Sequence, residues 1–374
     1  MLSQGIAIST AGDYSLDLPQ KSFKIRAKSA YGEKTFAAAL FPDRPYTEYK
    51  SLVLRNAGND GVWARVRDGF ISRLCDAYGS IVIHQAWKPV AVYLNGIYWG
   101  HMDLRERVDR YFVAQFEGIP MEQADDMDIL VGNGAVEWGS NTAFRAMIKK
   151  LKASDPAKNP EDRAYLDANI DVENLLEYMA LEMFFGNSDI GNTRFYRLHG
   201  TDPATGEPYK WKWILYDVDY GLWTYGFNSP WSYTKASGMG NKNFNNTCFL
   251  TALKVPEYKE MFLRKLGDIF QTFTTEFMLE KLDGCLAELY PETEMRRHFY
   301  RWAEYHDKMV ISEWPTNYTS AYAYWERHVN RLKNVIKIRP NKLWGMVQEQ
   351  FKLTDAQMES YFGPEPEIPA DAVP

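Results

Sequence analysis

The sequence predicts an α+β protein with a β-rich N-lobe over residues 1–118 and a mainly helical C-lobe over residues 119–362. Three observations carry this. The stretch KSFKIRAK at 21–28 alternates strictly, with Phe23, Ile25 and Ala27 on one face and Lys24, Arg26 and Lys28 on the other, the period of a strand. Asn95-Gly96 sits between VAVYL and IYWGHMDL, and this dipeptide supplies the positive φ angles of a tight hairpin turn. From Phe249 onward the apolar residues recur at helical spacing to about Phe351.

The other elements follow in order. Residues 51–60, SLVLRNAGND, read as a short strand closed by a turn cluster, and a helix follows from about Val62 to Tyr78. After the hairpin, a helix is expected from near Leu104 through RERVDRYFVAQF. Residues 119–170 are less regular, with a lysine-rich helical piece and a polar loop around Pro156 and Pro160. Asp171 reads as an N-cap and Val172 to Phe185 as a helix that stops at Gly186-Asn187. FYRL and KWKWILYDVD then form a strand pair, split by a turn-rich loop at 200–208. Residues 363–374 are rich in Pro and acid and read as a tail or linker.

Composition narrows the function. With 374 residues the chain can hold two lobes, and 45% apolar with 25% charged residues excludes disorder over most of it. A net charge of −6 argues against nucleic acid as a partner, because such a field repels phosphate backbones. No apolar run is long enough to span a bilayer, and the first residues lack the basic and apolar regions of a signal peptide. Cys75, Cys248 and Cys285 lack the spacing of a zinc site and read as buried thiols.

Two motifs could carry chemistry. In Asn187-Ser188-Asp189-Ile190-Gly191-Asn192 an Asp and an Asn stand three residues apart in a loop after a helix. Such a pair can accept a hydroxyl proton and hold a metal ion, which phosphoryl transfer needs. A helix C-cap with an Asx-turn would use the same residues. In Trp213-Ile214-Leu215-Tyr216-Asp217-Val218-Asp219 an apolar strand delivers two carboxylates, at i and i+2, to one side of its end. Mg²⁺ or Mn²⁺ would hold them together, whereas a solvated strand end would not need one. A helix, an Asp…Asn loop and a strand ending in metal-type Asp is the order of a kinase C-lobe. Lys21, Lys24, Arg26 and Arg55 are candidate phosphate-binding cations, with Glu106 as an orienting acid. No GxGxxG, HRD, DFG or Walker loop is present.

Six segments in order resemble the CotH kinase family, the spore-coat-H-type atypical protein kinases: LPQKSFKI (18–25), LVLRNAGND (52–60), RDGF (67–70), VYLNGIYWGHMDLRERVD (92–109), NSDIGNTRFYR (187–197) and WKWILYDVDYG (211–221). The resemblance implies a divergent bilobal protein-kinase-like fold. It implies an enzyme that phosphorylates Ser or Thr of protein substrates, such as coat or surface proteins, with ATP and Mg²⁺ or Mn²⁺. It assigns Asp189 as the catalytic-type Asp and Asn192 as a metal ligand, with Asp217 or Asp219 as the second metal-binding acid. It also suggests a spore-coat, surface or secreted location. The chain departs from it at Leu16, where relatives often carry an Arg. Two other readings stand beside it: a non-catalytic kinase-like binding module, and a metal-dependent glycosyltransferase, which requires an N-terminal βαβ nucleotide half.

Overall fold

The computed structural model describes residues 2–236, 241–302 and 318–373. The chain is α+β, as expected. The first sheet is made of β1 (Ile6–Ala11), β2 (Ser22–Ala27), β5 (Ser51–Arg55), β7 (Trp87–Leu94) and β8 (Ile97–Glu106). Its order is β1-β2-β5-β8-β7 and every pairing is antiparallel. It therefore lacks the βαβ half that the glycosyltransferase reading requires. A small ladder of β3 (Phe36–Ala37) and β4 (Glu48–Tyr49) packs beside it around Phe41 and Leu52.

A second sheet has the order β10-β9-β11-β12-β6. It contains β6 (Ile83–His84), β9 (Met127–Val131), β10 (Ala135–Trp138), β11 (Arg194–Leu198) and β12 (Lys212–Leu215). Only the β6–β12 pair is parallel. Around the sheets lie α1 (Arg67–Tyr78), α2 (Arg110–Phe116), α3 (Thr142–Lys152), α4 (Pro160–Asn169), α5 (Val172–Phe185), α6 (Ser229–Thr234) and α7 (Thr247–Ala252). The later helices are α8 (Pro256–Thr272), α9 (Thr275–Glu288), α10 (Arg296–Trp302), α11 (Tyr318–Phe351) and α12 (Asp355–Phe362). The helical expectation over 303–317 lies outside the described residues. The main core gathers apolar side chains of α1, α5, α8, α9 and α11, with Phe70, Leu176, Leu266, Leu282 and Leu332 fully buried. Cys75, Cys248 and Cys285 are buried free thiols. Among the described residues no helix is long and apolar enough to cross a membrane.

Local chemistry explains the elements read correctly. Asn95 and Gly96 both have positive φ, 52° and 78°, the geometry of a two-residue hairpin turn. Asp171 caps α5 by accepting from the Asn174 N–H, and Gly186 at φ 62° ends it. Three expectations need correction. The helix expected from Leu104 is strand up to Glu106, because Leu104 and Glu106 pair with Leu54 and Leu52 on β5. The helix starts only at Arg110, where Asp109 takes the Tyr111 and Phe112 N–H groups. The helix expected from Val62 starts at Arg67, since residues 58–62 form a 3₁₀ turn and Arg65 has φ 61°. The irregular stretch after residue 119 contains the β9–β10 hairpin, which turns through Gly132 and Gly134 at positive φ.

Candidate functional site

The loop after α5 is held from below. Arg339 of α11 is buried and donates to the carbonyls of Phe184 at 2.7 Å, Met183 at 3.0 Å and Phe227 at 3.1 Å. A cation there satisfies the open carbonyl end of the helix. Any Cβ on Gly186 would meet the Arg339 guanidinium at 2.4 Å, so the position needs glycine for space as well as for φ. The Asn187 side chain then accepts the Asp189 N–H at 3.1 Å, the Asx-turn. Capping and chemistry therefore coexist here: the turn aims Asp189 outward, about half-buried.

Asn192, three residues on, closes the arrangement. Its Nδ2 donates to Asp189 Oδ2 at 3.0 Å and to Asp217 Oδ2 at 3.0 Å. Asp217 lies past the end of β12 with φ 58°, a left-handed conformation that Asp tolerates better than most residues. Both strand-end carboxylates reach the same Arg55 nitrogen and differ in their other partner: Asp217 takes the Asn192 amide, while Asp219, fully buried, takes the Asn59 N–H.

The NAGND segment explains the Asp219 side. Asn59 N–H donates to Asp219 Oδ2 at 2.8 Å, and Arg55 donates to Asp219 at 2.7 Å and to Asp217 at 2.5 Å. Gly58 has no room for a Cβ, which would meet both Arg55 and Asp219 at 2.3 Å. Arg55 also pairs with Asp68 of α1 at 3.2 Å, and Asp68 pairs with Arg105 of β8 at 2.5 Å. Four of the six characteristic segments thus meet in one buried ion network. Burial works against the Arg55 charge, but Asp217, Asp68 and Asp219 more than offset it and hold its pKa well above the usual value. Burial, then the Asp217 charge, pushes Asp219 up to about 7 against the pull of Arg55. Asp189 is raised by burial and by Asp217. Glu182 lies beneath the loop and is pushed up to about 8, mainly by burial.

These groups line a cleft of about 980 Å³, at the upper end of the size range of small-ligand sites. Asp189, Asn192, Arg55 and Asp217 line it together with Lys24, Arg107, Arg194 and Glu137. Burial lowers the Lys24 pKa, and so do the charges of Arg107 and Arg194, while Glu137 raises it. Lys24 makes no hydrogen bond or ion pair among the described residues. Arg194 is tied to Glu137 at 2.6 Å and stacks on Tyr216 at 4.0 Å. Three cations gathered on one wall suit an anion. Gly12, Asp13 and Ser15, from the β1–β2 connection, line the same cleft, as do Trp63, Tyr220 and Trp223.

Of the N-terminal cations read from sequence, Lys24 and Arg55 reach the cleft and two others do not. Lys21 turns back to the Leu16 carbonyl. Arg26 donates to the Tyr111 hydroxyl at 3.1 Å. Leu16 itself is exposed and outside the cleft lining. Glu106 was expected to pair with a cleft cation, and it does not. It is buried at the end of β8, where it accepts from Arg44 at 3.0 Å, from the Ala86 N–H at 2.8 Å and from the Tyr46 hydroxyl. It is not among the residues that line the cleft. Sequence reasoning missed Arg107, Arg194 and Glu137. Arg107 and Arg194 do lie inside two of the characteristic segments, and that was the only available signal.

Among the described residues no group of three or more His, Cys, Asp or Glu side chains forms a metal-binding set. The set that converges is Asp189, Asn192 and Asp217, two carboxylates and an amide around one point. A hard divalent cation that takes one or two carboxylates and completes its shell with phosphate and water fits these donors. The Asn192 amide, turned about its own axis, would present oxygen where nitrogen now stands.

A family sequence profile described as CotH kinase protein matches residues 8–343, nearly the whole chain. No curated protein matches it.

Proposed function

The chain belongs to the CotH kinase family, and from that premise we propose that it transfers the γ-phosphate of ATP to Ser or Thr hydroxyls of protein substrates with Mg²⁺ or Mn²⁺. The observation that carries the reading is the convergence of Asp189, Asn192 and Asp217 in the cleft that Lys24, Arg107 and Arg194 also line. Acids that can hold a metal and cations that can hold phosphates share one cleft.

Asp189 takes the role of the group that receives the hydroxyl proton. It protrudes from a pinned loop, and its raised pKa makes it a better acceptor than an ordinary carboxylate. The acceptor oxygen bonds to the γ-phosphorus, the bond from that phosphorus to the β-γ bridging oxygen breaks, and ADP carries the electron pair away. A bound divalent ion supplies charge neutralisation on the phosphate oxygens. Asp217 and Asn192 are its ligands in this reading. Asp219 is a positioning acid that holds Arg55 and the Asn59 loop. Lys24, Arg107 and Arg194 bind the phosphates, and the β1–β2 connection covers them. Tyr216 and the stacked Arg194 keep that wall in place.

Thermal unfolding with and without ATP and Mn²⁺ tests the reading against a non-catalytic module that binds no nucleotide. A ligand that binds only the folded chain raises its melting temperature. A rise that needs both components is expected, and no rise at saturating concentrations overturns the proposal.

A further inference from the structure

The acidic C-terminal segment is seated along one face of α11. Asn341 donates to the Glu365 carboxylate at 2.8 Å and to the Pro366 carbonyl at 2.9 Å. One turn toward the helix N-terminus, Lys337 pairs with Asp371 at 2.5 Å. Asn334, almost a turn further, takes both main-chain groups of Val373: its Oδ1 accepts the N–H at 2.7 Å and its Nδ2 donates to the carbonyl. Spacings of four and three residues put all three on one stripe of the helix.

That stripe continues past the segment. Asn330 and Arg331 follow Asn334 at the same spacings, and Arg327 follows Arg331. They border an open groove of about 710 Å³ with Trp223 and Tyr225 on its other wall. Arg327 and Arg331 are exposed and make no ion pair among the described residues, whereas Lys333 and Lys337 each have one. Two exposed guanidinium groups one helical turn apart give this groove a positive field that suits a carboxylate-bearing ligand.

We infer that this groove is a docking site for an acidic polypeptide segment. The seated tail supplies the template, with a carboxylate on a basic side chain and main-chain groups on an asparagine amide. Asn330, Arg331 and Arg327 repeat that set of donors in the open half. Small anions would not need the asparagine, which reads peptide backbone. Trp223 lines this groove and the catalytic cleft alike.

The test is fluorescence anisotropy of a labelled peptide of about ten alternating Asp and Ala residues, read without ATP. The full chain binds it, and a Lys-Ala peptide of the same length does not. Arg327→Ala combined with Arg331→Ala weakens binding about tenfold or more, as expected when charge-assisted contacts are lost. Asp371→Ala tightens it, because Asp371 borders the groove with a like charge and its loss frees Lys337. The inference is overturned if neither the full chain nor Asp371→Ala binds the acidic peptide, or if the arginine replacements leave affinity unchanged. Because no ATP is present, failure of the phosphotransfer reading leaves this result untouched.

Discussion

Asn192 and Asp217 stand 25 residues apart in the chain, yet the amide of one lies 3.0 Å from the carboxylate of the other. One arrives on the loop after α5 and the other on the exit from β12. Both are anchored by buried groups, Arg339 below the first and Arg55 beside the second. The site is therefore built by two independently fixed backbones. Replacing either side chain should damage ligand binding more than folding.

Calorimetry of ATP binding in the presence of Mn²⁺ separates the two strand-end acids. Asp217→Ala should lose on the order of a hundredfold in affinity, a larger effect than its cost in stability, since Arg55 keeps Asp68 and Asp219. Asp219→Ala should cost about 1–3 kcal/mol of stability, because Arg55 and the Asn59 N–H lose a buried acceptor. The reverse pattern would exchange the two roles.

Among the basic residues, Lys24→Met should weaken nucleotide binding about tenfold and reduce its salt dependence. Glu106→Gln should leave nucleotide affinity alone. It should still destabilise the fold by about 1–3 kcal/mol, since the buried Arg44 loses one of its two carboxylate partners and keeps Asp76. A loss of affinity in Glu106→Gln without a stability change would return that residue to the cleft.

Stability should fall as pH rises from about 6.5 to about 8, above the range in which His101 and His328, held neutral by burial, act in the opposite sense. Asp219 and Glu182 are raised to about 7 and about 8, so the folded chain keeps two protons that the unfolded chain releases above its ordinary carboxylate pKa. Where the folded state binds more protons, each pH unit costs up to about 1.4 kcal/mol per group. Urea unfolding across this window should show the slope, and Glu182→Gln should flatten it. An unchanged slope in Glu182→Gln would mean that Glu182 does not hold a proton in the folded state.

What could be read from the sequence was what neighbours in the chain decide. Asp171 and Gly186 bound α5, and Asn95-Gly96 turns the hairpin, because caps and turns are local chemistry. The Asp189–Asn192 spacing and the carboxylates after β12 were visible for the same reason. Glu106 was misplaced because the apolar residues around it, Leu104, Val108 and Phe112, recur at helical spacing, while its conformation is set by pairing with Leu52, distant in sequence. The β9–β10 hairpin was hidden because Asp128 interrupts its apolar pattern. Arg107 and Arg194 could not be chosen over other arginines, because only the assembled cleft brings them to Lys24. The tie of Arg26 to Tyr111, 85 residues away, was equally out of reach.

The most direct test of the account is mass spectrometry of the chain after incubation with ATP and Mn²⁺, alone and with a Ser/Thr-rich acceptor protein. The account predicts phosphate on Ser or Thr for the native chain. For Asp189→Asn, which keeps the size and turn position of the residue but cannot take the proton, it predicts a loss of at least about a hundredfold with an unchanged melting temperature. Transfer by Asp189→Asn at the native rate would contradict it.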